Sequence, residues 1–225
     1  MHVFYLLLLF SLFVQYGISY ADDRVILKGT LVDIDGNVYN TLKIGRQVWM
    51  FDNLNVSRYC NGDVVNNVSD YDEWTSTTSG AWSYYDNNKY YSKPYGKLYN
   101  WHAVNDPRGL APKGWHIPSY KEWRQLIDIL GGDMVAGTLI KFYSRMGRLS
   151  SGETVDSKFD DFFSGSRYLG GAFLFKKYNA YYWTSSKKND NTSWYINLNS
   201  YDSKVYVDYN FNHNGMSVRC VKDSD

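Results

Sequence analysis

The segment GWHIPSYKEW, residues 114–123, brings together side chains that can carry out acid–base chemistry or bind a metal ion. His116 and Glu122 are the candidates, since imidazole and carboxylate groups are frequent metal ligands and general bases. A second interpretation needs only the physics of helices. Ser119 and Glu122 form the S-x-x-E pattern of a capping box, in which each side chain bonds a free backbone N–H at a helix start. We favour the capping box, because His116 precedes the cap and has no other ligand-type residue one helical turn away.

A second set of chemically capable residues lies near the C-terminus. In residues 193–211, SWYINLNSYDSKVYVDYNF, tyrosine, asparagine and aspartate recur on alternate positions. Tyrosine offers a rigid ring with one hydroxyl, and asparagine and aspartate offer adaptable hydrogen bonds, as in antibody binding loops. The residues predicted to bind a ligand are Tyr195, Asn197, Asn199, Tyr206, Asp208 and Asn210. The alternative is the solvated polar face of an ordinary antiparallel sheet.

The patterns of the common enzyme classes are absent from the sequence. It contains no HExxH, no GxSxG and no glycine-rich phosphate loop. A glycosidase needs two carboxylates roughly 5–10 Å apart, and the candidates Glu153, Asp156, Asp160 and Asp161 lie in a polar segment with no supporting pattern. We therefore predict a protein without enzymatic activity, cofactor or bound metal.

The elements that position these residues can be predicted from periodicity. After Ser119, one helical face collects Trp123, Leu126, Ile127 and Leu130. Gly131 and Gly132 end this helix, and a second short helical piece is predicted over residues 133–141. Residues 56–96 are predicted to be a long polar loop with a short helix near residues 70–74.

The N-terminal part alternates like β-strands. Residues 25–49 predict two strands joined by a turn at Asp35 and Gly36. Asp33, Asp35 and Asn37 also resemble the beginning of a calcium loop. The glycine comes too early and no glutamate closes that pattern, so a plain hairpin turn is favoured.

The C-terminal hairpin is predicted to have one apolar and one polar face. The polar face carries the ligand-binding candidates, and residues 200–203 form the turn. The apolar face carries Trp194, Ile196, Leu198, Val205, Val207, Tyr209 and Phe211. In the last strand, Met216, Val218 and Cys220 are predicted to face the core.

Charge and hydropathy limit where the protein acts. With 24 Lys+Arg against 23 Asp+Glu, it is not predicted to bind nucleic acid or an anionic membrane through its net charge. Residues 1–21 have no charged side chain, and their apolar run is short for a membrane span, which predicts a signal peptide cleaved before Asp22. Residues 22–225 then form one domain that is secreted or held at the cell surface and is not integral to the membrane.

The two cysteines are compatible with two states. In an oxidising compartment a disulfide between Cys60 and Cys220 would close a loop of roughly 160 residues and stabilise the fold by about 5 kcal/mol. Two separate buried thiols are the alternative, because the sequence does not give the distance between them. Both states are open at this stage.

Several long blocks of the sequence resemble the Fibrobacter succinogenes major paralogous domain. The blocks are DIDGNVYNTLKIGRQVWMFDNLNV (33–56), YGKLYNWHAVNDPRGLAPKGWHIPSYKEW (95–123), LGGDMVAGTLIK (130–141), YYWTSS (181–186), SWYINL (193–198) and GMSVRCVKD (215–223). They follow in the family's order and cover most of residues 22–225. Where other members show an LPGGYR block, this chain has FFSGSRY (162–168).

That family is in turn similar to the C-type lectin-like superfamily, and in particular to formylglycine-generating enzymes, through HIPSYKEW and VRCV. The resemblance implies an α+β, C-type lectin-like fold with two short helices, antiparallel strands and long loops. It implies no calcium-dependent sugar site, since neither an EPN nor a QPD segment occurs. Formylglycine generation would need a juxtaposed cysteine pair, and Cys220 is predicted to face the core.

The function expected from these features is a secreted binding module for a glycan or a surface protein. Two other interpretations are open. One is a structural or adhesin component of the cell surface. The other is a variable ligand-binding protein of a diversity-generating retroelement, because C-type lectin-like domains serve in such systems and residues 195–214 are rich in Asn, Tyr, Ser and Asp. An AT-rich genome would produce the same bias.

Overall fold

The computed structural model describes residues 25–150 and 162–223. The predicted signal peptide and the carboxylates of residues 153–161 lie outside the described residues. Helices and mainly antiparallel sheets occur together, which confirms the α+β class. The finer prediction of a C-type lectin-like fold stays a prediction.

The strands of the described residues form four sheets. A five-stranded sheet has the order β1-β2-β3-β13-β7, two three-stranded sheets have the orders β10-β11-β12 and β4-β5-β6, and β8 pairs with β9. The strands are β1 (Val25–Val32), β2 (Val38–Ile44), β3 (Gln47–Met50), β4 (Asn66–Asn67), β5 (Ala81–Ser83), β6 (Leu98–Tyr99), β7 (Trp115–His116), β8 (Ser166–Arg167), β9 (Phe173–Leu174), β10 (Asn179–Lys187), β11 (Thr192–Asn199), β12 (Val205–Phe211) and β13 (Val221–Lys222).

The helices are mostly short. They are α1 (Tyr71–Ser76), α2 (Ser92–Tyr95), α3 (Trp101–Val104), α4 (Tyr120–Ile129) and α5 (Ala136–Ser150), with 3₁₀ turns at Tyr85–Asn87 and Lys89–Tyr91. Helix α1 confirms the short helix predicted near residues 70–74, and α4 confirms the helix predicted after Ser119. The prediction for the second helix was too short, because its buried face continues past residue 141 to Ser144, whose hydroxyl bonds the carbonyl of Ile140 at 2.7 Å.

The first hairpin forms as predicted, with β1 antiparallel to β2. Its turn is organised by the buried carboxylate of Asp33. The Oδ1 atom accepts from the backbone N–H groups of Asp35 and Asn37, each at 2.9 Å, and Oδ2 accepts from the Asn37 side chain and the Tyr39 hydroxyl. Asp33 is therefore used to hold the turn and the following strand together.

Helix α4 packs through Trp123 against the five-stranded sheet and the β10-β11-β12 sheet. The ring of Trp123 lies 4.7 Å from that of Trp49 on β3 and stacks on Tyr182 of β10 at 5.7 Å. Leu126 and Ile127 are buried beside it, as the periodicity predicted. Burial of these side chains stabilises the helix, with roughly 1.5–3 kcal/mol for each large apolar group.

The C-terminal segment completes the five-stranded sheet from its interior. Val221 of β13 pairs with Trp49 on one side and with His116 on the other. Met216, Val218 and Cys220 lie in one core cluster, which confirms their predicted orientation. The residues between them are buried as well, with Ser217 0% and Arg219 2% exposed. Side chains on both sides of this segment are therefore buried, as in the central strand of a sheet that is covered on both faces.

The β10-β11-β12 sheet lies between two core clusters. Ile196, Leu198 and Val205 face one cluster, whereas Trp183 faces the other. The predicted apolar face is a core face only at the turn end of the hairpin. At the other end Tyr209 and Phe211 are 48% and 47% exposed.

Candidate functional site

The C-terminal hairpin places the predicted polar side chains on one side of its sheet. Strand pairing sets Tyr195 between Trp183 on β10 and Asp208 on β12. Asn197 lies opposite Tyr206 in the next pair with the same orientation. The alternation inferred from the sequence is therefore correct. We call the surface formed by Tyr181, Tyr195, Asn197, Tyr206, Asp208 and Asn210 the polar face.

Strand β10 contributes a residue that the sequence analysis missed. Tyr181 pairs with Asn197, and its ring lies 5.7 Å from that of Tyr195 and 6.3 Å from that of Phe175. Tyr181 is half-buried and Tyr182 fully buried on opposite faces of the strand, but two adjacent tyrosines do not indicate in the sequence which of them faces the core. Without the pairing of β10 to β11, nothing placed Tyr181 beside the hairpin.

Tyr181 and Tyr195 are anchored at their rings and open at their hydroxyls. Both rings pack against a core cluster, and Tyr195 also meets Trp183 edge-on at 6.4 Å. Burial, followed by the nearby Asp208 carboxylate, raises the pKa of Tyr195 to about 12. Burial likewise raises the pKa of Tyr181. Both hydroxyls therefore keep their protons at neutral pH and can donate a hydrogen bond to a ligand.

Two of the predicted asparagines are engaged within the sheet. The side chain of Asn199 is buried, accepts from the backbone N–H of Asp202 at 2.9 Å and donates to the Asp202 carboxylate at 3.1 Å. Its predicted role in ligand binding is corrected, because it shapes the turn from inside. Asn197 is half-buried and contacts Asn179 and the carbonyl of Ala180, each at 3.3 Å.

The outer strand presents the more accessible polar groups. Tyr206 is 36% exposed, and its hydroxyl donates to Asp202 Oδ2 at 2.8 Å. Asp208 and Asn210 each use one side-chain oxygen to accept from the next backbone N–H, at 2.8 and 2.9 Å. The second carboxylate oxygen of Asp208 and the amide N–H₂ of Asn210 point to no partner within the described residues. These groups can bond a ligand without disturbing the strand.

Helix α5 holds the turn at the end of the polar face. The buried ammonium of Lys141 donates to the carbonyls of Asn199 and Asp202 at 3.0 and 2.6 Å, and burial lowers the pKa of Lys141. The N–H of Gly137 bonds the carbonyl of Ser203 at 3.0 Å. A methyl group at Gly137 would lie 2.6 Å from that oxygen. The turn therefore depends on a close contact with the helix backbone.

The GWHIPSYKEW segment contains the predicted capping box. The Ser119 hydroxyl accepts from the Glu122 N–H at 3.3 Å, and Glu122 Oε2 accepts from the Ser119 N–H at 2.8 Å. The structural interpretation of Ser119 and Glu122 is confirmed. Burial opposes ionisation of Glu122, but the bonds from Ser119 and His116 outweigh it, and the pKa of Glu122 is lowered.

His116 has a role that the sequence did not indicate. Its Nε2 lies 2.7 Å from Glu122 Oε1, and its Nδ1 lies 2.6 Å from Asp223 Oδ1. Burial alone would lower the pKa of His116, but the two carboxylates more than compensate and raise it. With both ring nitrogens occupied, His116 has no free nitrogen to act as a general base. It links the C-terminal strand to the start of α4.

Of the two states left open for the cysteines, the structure has the free thiols and no disulfide. Cys220 is completely buried in the core, where burial raises its pKa, whereas Cys60 is exposed in the loop region and bonds Gly109 through its backbone N–H. The sequence does not give the distance between the two cysteines. In the fold they lie in different environments, one exposed and one buried.

The sequence of the core elements matches a known family. The match is to the Fibrobacter succinogenes major domain and extends over residues 42–222. The chain belongs to the Fibrobacter succinogenes major domain family. The matched region includes the capping box and the whole polar face, so both lie in the family's domain rather than in an addition to it.

Other comparisons of this Fibrobacter succinogenes major domain gave no match, either among curated proteins or among solved structures. The described residues contain no helix of the length and apolar character that crossing a membrane requires. They also contain no cluster of three or more His, Cys, Asp or Glu side chains arranged to hold a metal ion.

Proposed function

We propose that this domain is a secreted, non-enzymatic binding module that recognises a glycan or a cell-surface ligand through the polar face. The observation that carries the proposal is the pair Tyr181 and Tyr195. Their rings are fixed by packing, while neither hydroxyl has a hydrogen-bond partner within the described residues. A rigid aromatic group with a free polar end loses little entropy on binding, which suits it to ligand recognition.

The neighbouring groups complement these two tyrosines. Asp208 lies directly beside Tyr195 and keeps one oxygen free, and Tyr206 adds an exposed ring next to Asn197. Aromatic rings beside carboxylate and amide groups can stack on the apolar face of a sugar and bond its hydroxyls. The same groups also suit a polar loop of a surface protein. We favour the glycan because its many hydroxyls can pair with single hydrogen-bonding groups that lie beside aromatic rings.

A glycan array probed with the purified protein tests this proposal, and binding is expected. Tyr195→Phe removes the free hydroxyl and keeps the ring in its packing. Because one hydrogen bond contributes about 0.5–1.5 kcal/mol, the variant should bind roughly 2- to 12-fold more weakly with an unchanged melting temperature. Tyr195→Ala is unsuitable, since it would also remove ring contacts with the core.

Strand β12 provides a matched control. Tyr206→Ala and Tyr209→Ala remove the same exposed side chain from opposite faces of one strand. Only Tyr206→Ala should weaken binding. The proposal fails if the array and intact cells show no binding, or if Tyr209→Ala weakens it and Tyr206→Ala does not.

A second candidate, an adhesin or structural component of the cell surface, is supported by the opposite face. There Tyr120 and Tyr209 are 37% and 48% exposed and both contact the half-buried ring of Trp194, at 5.2 and 5.6 Å. Clustered exposed aromatic side chains are common at protein–protein contacts. Selective loss of surface association in Tyr209→Ala would favour this candidate.

A further inference from the structure

Two histidines from distant parts of the chain meet beside the outer end of the hairpin. His102 lies on α3 and His213 in the turn that follows β12. The N–H of Trp101 donates to the carbonyl of Asn212 at 2.8 Å, which holds the two segments side by side. The imidazole centroids lie 5.1 Å apart, and the ring planes are inclined by 80°. The backbone thus brings the two rings together in a fixed arrangement.

Polar atoms at this place lack partners. His102 Nε2 is shielded from solvent and has no hydrogen bond within the described residues. The same holds for Oδ1 of Asn214, the residue after His213, whose side chain is 2% exposed. A buried polar atom without a partner destabilises the fold, and such atoms are rare unless a ligand or water satisfies them. An unpartnered nitrogen on one of two paired imidazoles indicates a binding site.

The 5.1 Å separation of the ring centroids equals the separation expected for two imidazoles on one metal ion. For two imidazoles bound to one tetrahedral zinc ion, with Zn–N bonds of about 2.0–2.1 Å, the ring centroids lie roughly 5 Å apart. Metal ions bind the neutral form of imidazole. Burial, followed by the proximity of His213, lowers the pKa of His102.

We propose that His102 and His213 form a binding site for a divalent transition metal ion of the zinc, nickel or copper(II) type. Nitrogen ligands select these ions over calcium and magnesium, which require oxygen. The unpartnered Oδ1 of Asn214 is suited to be a third ligand, and water completes the coordination. The ion ties α3 to the turn after β12 and so stabilises the outer strand of the hairpin. The site shares no residue with the polar face.

Isothermal titration of the purified protein with zinc chloride and with nickel chloride tests this proposal. One ion per chain is expected to bind, and the melting temperature should rise with metal concentration. His102→Ala should weaken binding at least tenfold. His116→Ala is the matched control, because it removes another imidazole whose nitrogens are already engaged by carboxylates, and it should bind the metal as the unaltered protein does.

A second variant keeps the test decisive if His102→Ala does not fold. His213→Gln changes only a half-buried turn residue and should also weaken binding at least tenfold, without change in the circular dichroism of the metal-free protein. No saturable binding by the unaltered protein would overturn the proposal and leave an edge-to-face ring contact. Equal loss of binding in His116→Ala would overturn it as well.

Discussion

The two carboxylate oxygens of Glu122 bond different partners. One oxygen completes the capping box with Ser119, and the other contacts His116, whose second nitrogen reaches Asp223. The start of α4 and the end of β13 are thereby connected through three side chains. These groups are partly exposed, so solvent screens their interactions. Their effect on stability is best detected through its dependence on pH.

His116→Gln tests this connection. Because the folded-state pKa of His116 is raised above 6.5, the ion pairs stabilise the fold fully below that pH and lose their effect as pH rises through the folded-state pKa. The variant should therefore lower the melting temperature more at about pH 5.5 than at about pH 8.5. Glu122 stays ionised at both values, since its pKa is lowered from 4.5.

Lys121→Gln is the control for this measurement. It removes a cation from an exposed position of the same helix and should show no such difference between the two pH values. A melting temperature of His116→Gln that tracks the unaltered protein across this range would contradict the prediction.

Among the elements, α5 and the β11–β12 turn depend on each other. The Gly137 N–H and the Lys141 ammonium of the helix donate to backbone carbonyls at the turn. Val205 at the start of β12 bonds the carbonyl of Asp133, which precedes α5. The position of the polar face is therefore set by helix packing as well as by strand pairing.

Gly137→Ala tests this dependence. Alanine favours a helix over glycine by about 1 kcal/mol, but the added methyl would lie 2.6 Å from a backbone oxygen that cannot rotate away. Overpacking of this kind costs about 1–3 kcal/mol, so the steric effect should win and thermal denaturation should show a lower melting temperature. Binding to the polar face should weaken, because the turn is displaced.

Thr138→Ala provides the comparison on the next, exposed position of the same helix. It should raise the melting temperature slightly or leave it unchanged. Stabilisation by both substitutions would show that the turn does not rest on Gly137.

At the scale of the whole molecule, the fold is held by its core without a covalent link. Large aromatic side chains fill the two larger core clusters, among them Trp49, Trp123 and Trp183, each at most 1% exposed. The C-terminal segment is enclosed between β3 and β7 and closes the five-stranded sheet. A domain of this size buries enough apolar surface to be stable without disulfides.

The reactivity of the two thiols tests whether the fold is stable without a disulfide. A thiol reagent should label Cys60 in the native protein and Cys220 only after denaturation, because Cys220 is buried. Dithiothreitol should leave the melting temperature unchanged. A non-reduced protein with no reactive thiol after denaturation, together with a lower melting temperature in dithiothreitol, would show that the cysteines are paired.

The local features were predictable from the sequence because they depend on neighbouring residues. The capping box of α4, its buried face, the first hairpin and the two-faced C-terminal hairpin all follow from periodicity and turn residues. Helix α5 was predicted too short, because no glycine pair or proline marks where its buried face ends. Strand alternation predicted the faces of Tyr195 and Asp208. It could not predict that the apolar face of the hairpin is buried near the turn and exposed at the other end.

The features that involve distant residues were decided by the tertiary structure. Arg167 is 1% exposed and donates to the carbonyls of Val68, Ser69, Asp70 and Gly171 instead of a carboxylate, an environment that no local pattern indicates. Strand pairing places Tyr181 on the polar face, where the sequence had not predicted it. Asn199 was predicted to lie on that face, but its side chain is buried. The meeting of His102 with His213 and the separation of Cys60 from Cys220 have the same origin. The sequence determines the faces and ends of its elements through short-range periodicity and hydrogen bonding, whereas contacts between elements depend on how all of them pack at once.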